Sequence, residues 1–158
     1  MAWTDDLRAR HEELLEEYRT SLRGQLDGLT EEEARRSLVP SRTTLLGLVK
    51  HVTYVERFYF DHLVTGRSLK EIGVASTPDR SFVLRKTDTI ETVLAAHAET
   101  CDASRRTLAD LAFGDVVDGA RGERTVWALV LQVVRELAHH SGHADILREQ
   151  VLAARDDD

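Results

Sequence analysis

The stretch Val126-Trp127-Ala128-Leu129-Val130-Leu131-Gln132-Val133-Val134-Arg135-Glu136-Leu137-Ala138-His139-His140-Ser141-Gly142-His143-Ala144-Asp145-Ile146-Leu147-Arg148-Glu149-Gln150-Val151 decides the fold. It holds no proline, and Val126, Val130, Val133, Leu137, Ala144, Leu147 and Val151 recur at three-to-four spacing, the signature of a helix that buries one face. His140 falls on that apolar line, between Leu137 and Ala144. Glu136 and His143 stand four residues before and three after it, about 40° and about 60° to either side at the helical repeat. The spacing predicts a vertical polar row on the face that looks into the core.

The other breaker-free intervals of the chain carry the same period. The only prolines are Pro40 and Pro78, both in loop-like stretches. A first helix is predicted after Thr4, with Asp5 and Asp6 in its first turn, where the helix dipole favours negative charge. Its stripe is Leu7, His11, Leu14/Leu15, Tyr18, Leu22 and Leu26, and Gly28 ends it. Thr30-Glu31-Glu32-Glu33 is a capping box that starts a short turn before Pro40. A second long helix, from about Thr44 to Val64, buries Leu45, Leu48, Val52, Val55 and Tyr59, and Gly66 stops it. The segment from Gly66 to Thr87 is loop-like with one turn at Leu69–Ile72, long enough to cover a site. A third helix, roughly Thr89 to Ala112, carries Ile90, Val93/Leu94, His97, Cys101, Leu108 and Leu111 inward. A loop with Gly114, Gly119 and Gly122 follows, and Thr125 caps the last helix, which runs to about Arg155. Four long helices sharing one core predict an all-α four-helix bundle, a single domain over residues 1–158.

Composition excludes several classes. The chain has 158 residues, 42% hydrophobic and 31% charged, the balance of a globular protein. No apolar run approaches the ~20 residues of a membrane span. The segment Met1-Ala2-Trp3-Thr4-Asp5-Asp6 turns acidic at once, unlike a signal peptide, so a cytoplasmic location is expected. The formal charge of −7 with no basic stripe argues against nucleic acid and anionic membranes as partners. The single cysteine, Cys101, forms no internal disulfide and suits a reducing compartment. Seven histidines is a generous count, and His139, His140 and His143 fall within five residues.

The second helix repeats the anomaly of the last: His51 lies between Leu48 and Val55 in line with Phe58, and so points inward. Buried carboxylates require a partner because lost hydration costs several kcal/mol. The residues admit two readings. In one, His51 is a hydrogen-bonded core residue and Glu136, His140 and His143 form a polar network. In the other, His51, Glu136 and His140 hold a divalent cation between two facing helices, leaving one coordination position open. Imidazole and carboxylate ligands suit zinc, nickel or iron rather than calcium. His139 is expected towards the polar side and outside the ligand set, with His11 and His62 structural. His97 and Cys101, four residues apart, lack an evident third orienting group, so Cys101 is expected to be a buried core thiol. The acidic faces at Glu12-Glu13 and Glu16-Glu17 are expected to be solvated, and Trp127 and Trp3 to pack between helices.

The segment Pro40-Ser41-Arg42-Thr43-Thr44-Leu45-Leu46-Gly47-Leu48-Val49-Lys50-His51-Val52-Thr53-Tyr54-Val55-Glu56-Arg57 resembles the second-helix signature of an actinobacterial branch of the DinB superfamily. Arg135 to Glu149 resembles that branch's last-helix signature, at the matching separation. The resemblance covers nearly the whole chain and implies an up-down-down-up four-helix bundle with an internal metal site. DinB-like proteins mostly use three histidines, one on the second helix and a His-x3-His pair on the last. Here those positions fall on His51, Glu136 and His140. The Glu-x3-His departure resembles the related mycothiol-dependent maleylpyruvate isomerases. His143 is an extra member, implied as a fourth ligand, an orienter or a proton-carrying catalytic group.

The resemblance implies a metal-dependent S-transferase or isomerase that uses a low-molecular-weight thiol such as mycothiol on small electrophiles, with zinc ahead of nickel or iron as the metal. Two other classes stand beside it: a non-catalytic metal- or ligand-binding stress-response bundle, and a dimerising scaffold with a vestigial polar core. Homodimerisation through helix faces is expected of such bundles.

Overall fold

The structure is a computed structural model that describes residues 6–155. Trp3, Thr4, Asp5 and the acidic tail, on which some of these expectations fall, lie outside the described residues. The chain is mostly helical. Its elements are α1 (Leu7–Gly24), α2 (Glu31–Ala34), α3 (Leu45–Arg57), a π-type turn (Phe58–His62), α4 (Leu63–Thr65), α5 (Pro78–Ser81), α6 (Ile90–Ala109), β1 (Val116–Gly119), β2 (Gly122–Thr125) and α7 (Val126–Ala153). Helix α1 packs on α7, and α3 packs on both α6 and α7. Among the described residues, no helix is long and apolar enough to cross a membrane.

Caps at most helix starts follow side-chain chemistry. Asp6, expected inside the first turn of the first helix, is instead the N-cap of α1 and accepts from the Ala9 N–H, while Thr44 accepts from the Gly47 N–H at α3. Thr30 and Thr89 close capping boxes at α2 and α6. Thr125 stands at the N-cap of α7 but makes no side-chain cap bond. At the other end of α6, the Arg8 guanidinium donates to the Leu111 carbonyl at 2.6 Å and the Leu108 carbonyl at 2.7 Å, satisfying acceptors the helix leaves open.

Several expectations need correction. Helix α1 ends at Gly24 and not at Gly28, because the chain tightens into turns from Gln25 onward. The long second helix widens to π-type bonding across Phe58–His62 before it stops at Gly66. The Gly66–Thr87 segment contains α5, capped by Thr77 with Pro78 in its first turn. The glycine-marked loop before α7 is an antiparallel hairpin, with Val116 opposite Thr125 and Gly119 opposite Gly122. Trp127 is exposed at 46%, so it does not pack between helices.

The core stripe of α7 is as the period requires: Val126, Val130, Val133, Leu137, His140, Ala144, Leu147 and Val151 are all buried. Helix α3 is buried almost all round, on Leu45, Leu46, Leu48, Val49, His51, Val52, Tyr54, Val55 and Glu56. That central position makes α3 the element on which polar groups from both α7 and α6 converge.

Candidate metal centre between α3 and α7

His51, on the buried face of α3, and His140, on the core stripe of α7, meet edge to face with ring centroids 4.6 Å apart. Glu136 lies one turn before His140, with a side-chain exposure of 24%. One donor atom from each of the three lies within 4.8 Å of the other two. The Glu136 Oε2–His140 Nε2 pair, 3.7 Å apart, stands a few tenths of an ångström beyond the roughly 3.3 Å between ligand atoms of a tetrahedral zinc site.

The hydrogen bonds around the cluster leave a lone pair free on each partner. His51 Nδ1 lies 2.6 Å from Ser81 Oγ, and that hydroxyl donates its own proton to the Pro78 carbonyl at 2.5 Å. Ser81 can therefore only accept, which puts the His51 proton on Nδ1 and leaves Nε2 as a bare acceptor. Phe82 stacks on the same ring at 4.0 Å and 12°. Gly47 allows this approach: a Cβ there would stand 3.0 Å from the Phe82 carbonyl oxygen and 2.9 Å from Thr44 Oγ1. Glu136 Oε1 accepts from Gln132 at 3.0 Å and Arg135 at 2.8 Å, while Oε2 faces His140 Nε2 at 3.7 Å, too far for a hydrogen bond. His140 Nδ1 is buried and has no partner among the described residues. An imidazole that makes no hydrogen bond from either nitrogen inside a core calls for a ligand.

Both rings are neutral at pH 7, the form that binds a metal. Burial, then the charge of His140, holds His51 down at about 3. Burial, then His139 and His143, holds His140 at about 4. His143 is exposed, with its ring 5.6 Å from His140, so it stands at the outer edge of the cluster rather than in an inward row. His139 is also exposed, 4.3 Å from the His143 ring. His11 Nδ1 donates to the Leu7 carbonyl and His62 Nδ1 to the Arg67 carbonyl, both local structural bonds.

Sequence reasoning missed Ser81 and Phe82. The signal for α5 was present in Thr77-Pro78, an N-cap followed by proline at the first helical position. Nothing local showed that this turn would fold over His51.

A second buried polar cluster joins α3 to α6. Glu56, His97 and Cys101 also offer donor atoms within 4.8 Å of one another. Glu56 is the third group that the His97–Cys101 pair had seemed to lack.

The acid limb of stability should report these histidines. Burial holds His97, fully shielded from solvent, at about 4. In the unfolded chain a histidine titrates near 6.5, so the unfolded state takes up the proton first as pH falls. His97 therefore costs no stability above about pH 6.5, and about 1.4 kcal/mol per pH unit below it until pH ~4. His51 and His140 act with the same sign. The metal-free protein is expected to show a urea midpoint that falls steeply from pH 6.5 to 4.5. His97→Gln should lower the slope by about one proton; an unchanged slope would mean that His97 protonates freely in the folded state.

No curated protein sequence gives a significant match to the chain. The family model described as mycothiol-S-transferase matches residues 11–153, from the first turns of α1 to the end of α7 and across both buried clusters. With nearly its whole length accounted for in this way, the chain belongs to the mycothiol S-transferase family, as its DinB-like resemblance implied.

Proposed function

We propose that this protein is a metal-dependent S-transferase or isomerase that uses a mycothiol-type thiol on small electrophiles, with a divalent ion, zinc before nickel or iron, held by His51, Glu136 and His140. We read the four long helices as the up-down-down-up four-helix bundle of DinB-like proteins. The observation that carries the functional reading is the convergence of two neutral imidazoles and one unshared carboxylate oxygen from α3 and α7, with His51 locked by Ser81.

When bound, a divalent ion supplies Lewis acidity that makes a thiol acidic enough to react as thiolate near neutral pH. His51 and His140 present lone pairs, Glu136 Oε2 presents charge, and Ser81 and Phe82 keep His51 from turning. The exposed His143 is the group we assign to accepting the thiol proton and passing it to solvent.

Elemental analysis tests the reading. Glu136→Gln and His140→Ala are each expected to carry about one equivalent of divalent metal less than wild type. Absence of metal above background, with His51→Ala and His140→Ala unchanged in thermal stability, would remove it. A conjugation screen of metal-loaded protein with a bimane electrophile and several bacterial thiols tests catalysis. Metal retention without acceleration of any thiol would favour the non-catalytic binding bundle. Ser81→Ala is expected to weaken metal binding by about 10–100-fold, read by competition with a chromophoric chelator, because His51 loses the bond that fixes its tautomer.

A further inference from the structure

The α3–α6 cluster uses none of the residues of the centre just described. Glu56 is 0% exposed, His97 0% and Cys101 1%. The Cys101 thiol donates to Glu56 Oε1 at 3.7 Å, and its sulfur lies 3.7 and 3.8 Å from the two ring nitrogens of His97. Those sulfur contacts are the only polar contacts the His97 ring makes among the described residues. A fully shielded imidazole with nothing firmer than a thiol beside it is poorly satisfied, because burial removes its water and returns no good hydrogen bond.

Thiolate, imidazole and carboxylate together form a zinc-type donor set. We propose that Glu56, His97 and Cys101 form a second, sulfur-containing site for a divalent transition metal of the zinc class, separate from the His51–Glu136–His140 centre. Glu56 is not used up by its other partner. Arg19 Nε binds Oε1 at 2.8 Å and Arg19 Nη2 binds Oε2 at 2.7 Å; a lone pair stays open on Oε2, and the second on Oε1 is held only by the Cys101 thiol proton, which metal binding removes. A ligating carboxylate is ordinarily held by just such an outer hydrogen bond. Arg19, Arg105 and Arg23 oppose a cation here; Glu56, and Glu16 at 2.5 Å from Arg19 and 2.7 Å from Arg105, offset them in part.

The nearest opening is a cleft of about 370 Å³ between the π-type turn and α6 that counts Glu56 in its lining, with the carboxylates Asp61 and Glu99 beside the guanidinium groups of Arg57, Arg67 and Arg106 on its walls. Since Glu56 itself is out of reach of solvent, the floor of this cleft must open for an ion to pass. Binding would release one proton, from the Cys101 thiol, to water. Burial, then Glu56, pushes that thiol up to about 12, so the proton stays on until a cation replaces it.

Cobalt(II) is the probe, because Cys101 is the only sulfhydryl in the chain and thiolate–cobalt coordination gives an intense near-ultraviolet charge-transfer band. Metal-stripped full-length protein titrated with cobalt is expected to develop that band and to take up one equivalent more than Cys101→Ser. His51→Ala/His140→Ala is expected to keep the band. Folded wild type that binds cobalt, or none at all, without a charge-transfer band overturns the proposal whatever happens at the other centre. His97→Gln is a second arm: it should abolish the band even if Cys101→Ser fails to fold, and a band that persists with unchanged affinity in His97→Gln also overturns it. Loss of the first centre with the sulfur band intact would count against the proposed function alone.

Discussion

Glu56→Ala should destabilise the protein by about 3–5 kcal/mol, the largest effect expected of any single side chain outside the apolar core. Arg19 is 2% exposed and Glu56 0%, and the two meet in a fork of bonds at 2.8 and 2.7 Å. Truncating the carboxylate strands a guanidinium that has already given up its water, with only the partly exposed Glu16 left to it. The cost is that of an uncompensated buried charge, not the modest net worth of an ion pair. In a domain of this size it corresponds to a fall of roughly 10 °C in melting temperature. Urea unfolding measures it directly. Glu56→Gln, which keeps the shape and one acceptor, should cost less. Replacing both partners by apolar residues of like volume should restore most of the loss, since a buried pair is seldom more stable than well-packed hydrocarbon. A cost for Glu56→Ala below about 1 kcal/mol would be the figure for a surface pair and would contradict the burial of Arg19.

Gly119→Ala should cost about 3 kcal/mol, at the upper end of overpacking effects. A Cβ on Gly119 would stand 1.8 Å from the Leu63 carbonyl oxygen and 2.3 Å from its carbonyl carbon. These are backbone atoms at the start of α4, so no side-chain rotation relieves the clash, and the hairpin must lift away. The bond from the Ala120 N–H to the His62 carbonyl, 3.4 Å, goes with it. Gly122→Ala is the control. Gly122 has φ 78° but open space around its Cα, so alanine there meets only the left-handed backbone penalty of roughly 1 kcal/mol. Equal melting temperatures for the two variants would mean that the hairpin does not rest on α4.

Helical periodicity was legible because it is a local consequence of one-sided burial. Every core-stripe position named on α7 is buried, and α3 and α6 begin at Thr44 and Thr89 as their caps require. The metal-ligand candidates were legible for the same reason: His51 and His140 stood on apolar lines where a polar group needs an explanation. Glu56 and Arg19 obeyed that rule too and went unread. Glu56 follows Val52 by four residues, and Arg19 follows Leu15 by four and precedes Leu22 by three, so each occupies a core position in its own helix. His143 failed in the opposite direction. A position 60° from the centre of a stripe is at its margin, and whether it is covered depends on how the neighbouring helix is set.

The four long helices, the caps of α2, α3 and α6, the inward placement of His51 and His140, and the family to which the chain belongs are all written in local sequence. Which polar groups meet was settled by the packing of the helices on one another. That packing folded α5 over His51 so that Ser81 fixes the ring's tautomer, and it seated the hairpin against the carbonyl of Leu63. It left His143 in solvent and joined Arg19 and Glu56 across 37 residues of chain to complete the cluster around Cys101. A helix's burial follows from its own spacing, whereas a contact between helices depends on their relative rotation and height, which no local pattern records.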